Sequence, residues 1–129
     1  MSASPSNRRR VRVGVAVVTA GAVAVTGALA TGVASGARTV HINAKSQGLK
    51  FNRKTVRLRH GKVTFLMKNP SSLPHAIAVE GHGIDKDGRT VTKGGTSRVT
   101  VTLKKGRYAF YCPVDSHRAA GMRGTLVVR

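Results

Sequence analysis

The chain has 129 residues, with 23 Lys and Arg against four Asp and Glu, a formal charge of +19, a single cysteine and no tryptophan. That length suits one domain, and a lone cysteine excludes an internal disulfide. So positive a chain favours an anionic surface or an acidic protein partner, but with only Phe51, Phe65, Phe110, Tyr108 and Tyr111 for aromatic rings it lacks a platform for stacking bases, which argues against nucleic acid.

Arg8-Arg9-Arg10-Val11-Arg12 is followed by 25 uncharged residues, Val13 to Ala37, built mainly of Val, Ala, Gly and Thr. A basic start, an apolar run and small residues around Ser35, Gly36 and Ala37 have the order of an export signal. An uncleaved anchor is the alternative, since 25 helical residues could cross about 30 Å of hydrocarbon. Five glycines and three threonines make the run weakly hydrophobic for a permanent span. Residues 1–37 are therefore expected to be a signal peptide or an N-terminal membrane anchor, and residues 38–129 a domain outside the cytoplasm, secreted, held at the wall or periplasm, or anchored there.

From Arg38 onward no helical periodicity appears, and short alternating runs are separated by turn residues, which predicts an all-β, two-sheet Greek-key β-sandwich of about seven strands. Val40 and Ile42 alternate with polar neighbours in a first strand. Val56 and Leu58 form a second, and after a turn at His60-Gly61 a third runs from Val63 to Met67, closed by Asn69-Pro70. Ala76 to Glu80 make a fourth, and Gly81 to Gly95 reads as a polar, Gly-rich connection. Val99, Val101 and Leu103 alternate with Arg98, Thr100 and Thr102 as one strand with a core face and a water face. Lys104-Lys105-Gly106 turns the chain, Tyr108 to Cys112 run back, and Thr125 to Val128 finish it.

In an oxidising compartment an odd cysteine needs to be buried or ligated. Cys112, His117 and Met122 are spaced five and five within one short loop between the last two strands. A thiolate, an imidazole and a thioether form a compatible donor set for copper, the sulfurs suiting Cu(I) and the imidazole both oxidation states. A trigonal His₂Cys plane needs a second nitrogen, which His75 can supply from the start of a strand elsewhere. Zinc is chemically possible in a Cys-His-His site, and Met122 as the further donor argues for copper.

Cys112 to Met122, followed by Gly124-Thr125-Leu126-Val127-Val128 and preceded by Asn69 to His75 and by Gly61-Lys62-Val63-Thr64-Phe65, resembles the blue copper proteins, the cupredoxin family that includes plastocyanin and azurin. The resemblance covers the chain from about Thr39. It implies one buried copper ion with His75, Cys112 and His117 as strong equatorial ligands and Met122 as a long axial one, cycling between Cu(I) and Cu(II) to carry single electrons without bond chemistry. It implies too that His117 is the ligand nearest the surface. Ala76 stands where an Asn is frequent in such proteins, so the surroundings of the cysteine loop differ. A redox protein with an acidic docking surface is the expected partner, an anionic membrane or wall surface a second contact, and a monomer the expected state.

The remaining candidates read more plainly. His41 and His60 belong to a polar strand face and a turn, His82 to a solvated loop, and Asp85 and Asp87 beside Gly88 to a turn with too few oxygens for calcium. Ser116 beside His117 lacks an oriented acid for hydrolysis. A copper carrier or buffer is the competing function, and it would be expected to show more Met and His than three and five.

Overall fold

The structure, a computed structural model, describes residues 36–129. The reading of residues 1–37 as signal or anchor therefore lies outside the described residues, apart from the last two. Among the described residues no helix is long and apolar enough to cross a membrane.

Eight strands follow in order: β1 (Arg38–His41), β2 (Thr55–Leu58), β3 (Gly61–Lys68), β4 (Ala78–Gly81), β5 (Ile84–Asp87), β6 (Thr96–Leu103), β7 (Gly106–Tyr111) and β8 (Arg123–Val128). They form a three-stranded sheet, β1-β3-β6, and a five-stranded sheet, β2-β8-β7-β4-β5. β1 with β3 and β2 with β8 pair in parallel, and all other pairs are antiparallel. Only β4 to β5 and β7 to β8 join neighbours within one sheet, and every other connection crosses between the two. This is the two-sheet sandwich that the alternating runs predict, with eight strands in place of about seven.

Alternation decides which face each strand buries. In β6 Ser97, Val99, Val101 and Leu103 are buried while Thr96, Arg98 and Thr102 are exposed, and in β2 Val56 and Leu58 face inward while Thr55 and Arg57 face water. The inward sets meet in one core with Ile42, Phe65, Met67, Phe110 and Leu126, all fully buried. Burial of such side chains contributes about 1.5–3 kcal/mol each. Phe51 closes one side of the core, its ring 5.4 Å from that of Phe110.

The strand that the alternation does not reveal is β5, inside the stretch read as a plain connection. Three of its four side chains are exposed, so no apolar period marks it, and it forms because a tight turn at His82-Gly83 folds it back on β4. β4 starts two residues later than the apolar run Ala76 to Val79 implies. Ala76 and Ile77 are fully buried yet outside the ladder, and Ile77 is satisfied locally: its N–H donates to Ser97 Oγ at 3.3 Å and its carbonyl accepts from Gly88 N at 2.7 Å. Buried backbone groups need such partners.

Candidate metal centre

His75 is positioned by the loop before it. Asn69 is fully buried, and its amide donates to the carbonyls of Leu73 (2.7 Å) and Val91 (2.9 Å) while its Oδ1 accepts from the Ser71 backbone (3.0 Å) and hydroxyl (2.9 Å). His75 itself forms an isolated bridge with Val91, N–H to O at 3.0 Å and 2.8 Å in the two directions. Neither Asn69 nor Val91 is singled out as functional by sequence reasoning. The Asn-Pro dipeptide marks the first as a turn residue, whereas Val91 lies in an unpatterned segment and carries no signal.

Cys112 follows directly on β7, and Met122 directly precedes β8. Between them the chain makes successive turns: His117 N–H donates to Val114 O (3.1 Å), Ala120 to Ser116 O (3.0 Å) and Met122 to His117 O (3.0 Å). Gly121 sits at φ 109°, a conformation L side chains rarely adopt. The loop closes where Cys112 N–H donates to Met122 O at 3.0 Å, which sets the two sulfur-bearing residues on adjoining backbone. Met122 is fully buried in the same apolar cluster as Cys112.

Three of the four anticipated ligands meet. His75 Nδ1 lies 3.2 Å from His117 Nδ1 and 3.8 Å from Cys112 Sγ, and His117 Nδ1 lies 3.5 Å from that sulfur. Among the described residues this is the one group of three or more His, Cys, Asp or Glu side chains whose donor atoms converge. Bonds of about 2.0 Å to nitrogen and about 2.3 Å to sulfur, about 120° apart, would separate the two nitrogens by about 3.5 Å and each nitrogen from the sulfur by about 3.7 Å. The triangle therefore has the size of a trigonal metal site, and its soft and borderline donors fit copper. His75 and Cys112 are fully buried and His117 is half-buried, so His117 is the member that reaches toward solvent.

Electrostatics prepare the donors differently. Burial lowers the His75 pKa, and the neighbouring His117 lowers it further, so the ring stays neutral, the form that ligates. Its Nε2 is buried without a hydrogen-bond partner among the described residues, and a second proton there would place a charge nothing compensates. Burial pushes the Cys112 thiol up; hydrogen bonds with the Ala76 and Val114 backbone oppose this, and Asp115 adds to it. The Ala76 backbone thus serves the sulfur although its side chain has no amide to offer.

The ligand loop is tied to β4 by a pair that sequence reasoning does not anticipate. Arg118 makes a two-pronged contact with Glu80, Nη2 to Oε1 and Nη1 to Oε2, the latter at 3.1 Å, and its guanidinium lies 4.0 Å from the centroid of Tyr111. The Arg118 hydrogen bond holds the Glu80 carboxyl below the usual carboxylate range. Tyr111 in turn donates to Asp85 Oδ1 at 3.3 Å, so Asp85, expected in a turn, stands on β5 and holds the Tyr111 hydroxyl. His41 and His60 are exposed, and His82 packs its ring 4.8 Å from that of Tyr108.

An eight-stranded two-sheet sandwich enclosing a His-Cys-His triangle defines a protein of the cupredoxin class. The chain belongs to the plastocyanin/azurin family of copper binding proteins, whose family model matches residues 38–129. It is 30% identical over 100 residues to the chloroplastic plastocyanin of Chlamydomonas reinhardtii, a match covering 70% of this chain and 66% of that protein, just under two thirds of its length. The fold is shared with solved structures, of which two auracyanins are examples. Auracyanin of Roseiflexus castenholzii superposes with a TM-score of 0.65 at 21% identity, over 72% of this chain and 98% of that one. Auracyanin A of Chloroflexus aurantiacus, a "blue" copper protein, gives 0.64 at 22% identity, over 73% and 100%.

Proposed function

We propose that the domain holds one copper ion between His75, Cys112 and His117, with Met122 as a further, weaker donor, and passes single electrons between redox proteins outside the cytoplasm. The observation that carries this reading is the triangle of 3.2, 3.5 and 3.8 Å, buried at His75 and Cys112. Copper, when bound, supplies a one-electron couple. The chain does the rest. Asn69 and Val91 fix His75 from one side, and the Cys112–Met122 closure fixes the loop from the other, so the donors are held in place whatever charge sits between them. His75, Cys112 and Met122 are fully buried and so close their side of the site to solvent, which favours electron transfer over bond chemistry and over the exchangeable site of a carrier. His117, half-buried, gives the electron its path to the surface. Met122 is supported as the further donor by its complete burial and its backbone bond to Cys112.

Titrating the full chain with one equivalent of Cu(II) tests the reading. We expect an intense visible thiolate-to-copper band that bleaches reversibly on one-electron reduction, is abolished in Cys112→Ser, and shifts in Met122→Leu together with the potential. A colourless copper adduct, or a Met122→Leu spectrum and potential equal to the parent's, would count against the site as drawn.

A further inference from the structure

The chain has four carboxylate side chains, Glu80, Asp85, Asp87 and Asp115. The first three lie on the β4–β5 hairpin and the last in the ligand loop, so the β2–β8 side of the five-stranded sheet has none. On that side the surface is hollowed into two concavities of about 400 and 430 Å³. They share Lys54, Gly121 and Arg123 and so join as one trough, with Lys45, Lys50 and Arg53 along one end and Arg118 at the other. Lys45, Lys50, Arg53, Lys54 and Arg123 are exposed, and none forms an ion pair among the described residues, where Arg118 with Glu80 is the single pair.

The walls are fixed by backbone. Lys45 N–H donates to Lys50 O at 2.9 Å, Ala44 bridges to Phe51, and Thr125 N–H donates to Lys54 O at 2.8 Å. Like charges held around a rigid hollow repel one another and concentrate the local field. Apart from Glu80, which pairs with Arg118 at one end, no side-chain carboxylate of the chain stands there, so the counter-charge to Lys45, Lys50, Arg53, Lys54 and Arg123 comes from another molecule. The trough also adjoins the ligand loop: Gly121 precedes Met122 and Arg118 follows His117.

We propose that this trough is the docking site of the electron-transfer partner and receives an extended, carboxylate-rich segment of that protein. The inference rests on the electron-carrier reading of the metal centre. Cations distributed along two joined hollows match carboxylates repeated along a chain. A recess admits one chain where a flat membrane would meet only the rim, and its position beside the ligand loop brings a redox partner to the place where an electron can leave.

The test uses the full chain and a fluorescently labelled hexaglutamate peptide, with binding read by anisotropy. Replacing Lys50, Lys54 and Arg123 by Gln should weaken binding roughly tenfold or more, while replacing Lys62, Arg98 and Lys105 by Gln, an equal loss of charge elsewhere, should change it less than about twofold. Equal losses in the two triple variants would show that only the mean charge acts and would overturn the proposal. So would a preference of the trough for tripolyphosphate or phosphatidylglycerol vesicles over hexaglutamate, lost in the Lys50, Lys54 and Arg123 variant. The peptide assay needs no copper, so Cys112→Ser should still bind hexaglutamate. Absence of a copper band with peptide binding intact would sink the metal reading, and the converse would sink the trough.

Discussion

Asn69 shows how a residue outside the His-Cys-His cluster can position one of its members. Its amide satisfies two carbonyls from different segments, Leu73 and Val91, and so closes the turn that delivers His75. Asn69→Ala takes one of two donors from each carbonyl and the acceptor from the buried Ser71 N–H, and we expect a loss of about 1–3 kcal/mol in urea unfolding, with weakened metal uptake. His75 and Cys112 set the pH response of the metal-free chain. The folded-state pKa of His75 lies below that of an unfolded histidine, so between the two values the unfolded chain binds a proton that the folded one refuses. Stability is therefore complete above the ordinary histidine range and falls as pH drops through it, a slope that His75→Gln should flatten. Cys112 is displaced upward, so its contribution is present below the ordinary thiol range and is lost as pH rises through the folded value. Metal uptake must expel the thiol proton, and affinity should rise with pH across the neutral range, as isothermal titration in two buffers of different ionisation heat can verify.

At the level of elements, β8 has to approach both the Lys54 backbone and the Phe110 ring. Gly124 makes this possible: a Cβ there would lie 2.1 Å from Phe110 Cζ and 2.6 Å from Lys54 O. Gly124→Ala must push the ring or the β2 approach aside, and a cost of about 1–3 kcal/mol is expected, read as a lowered midpoint at unchanged denaturant slope. A neutral result would mean that β8 can shift without disturbing the ladder to β7. The β4–β5 hairpin contributes through Glu80 and Arg118, which hold the ligand loop over Tyr111. β5 itself escapes sequence reading because its outward Asp85, Lys86 and Asp87 offer no apolar period, and its pairing comes from the turn and from β4 alone. The strands with strict alternation, β2 and β6, are by contrast found where their patterns put them.

The molecule as a whole carries far more positive charge than it can pair. From Arg38 onward 19 Lys and Arg face four acids, a net +15, and one ion pair forms among the described residues. Self-repulsion on this scale should make stability depend on salt. Raising sodium chloride from about 0.01 M to about 1 M shortens the screening length from about 30 Å to about 3 Å, and the thermal midpoint should rise with it. A midpoint insensitive to salt would show that the charges are already far enough apart to ignore one another. The same excess of charge explains why partner recognition, unlike metal recognition, was not legible by position: composition gives the sign of the field, and only the folded surface shows where it is concentrated.

Covalent order by itself determined the local half of the site, because Cys112, His117 and Met122 are brought near one another by a loop too short to separate them, and period-two alternation committed the chain to a sandwich. Tertiary structure decided what lies far apart in sequence. The meeting of His75 with that loop, the clamp of Asn69 and Val91 behind it, the Glu80–Arg118 tie and the trough between Lys45 and Arg123 all depend on how two sheets stack, and stacking is set by the sum of many weak contacts that no single segment encodes.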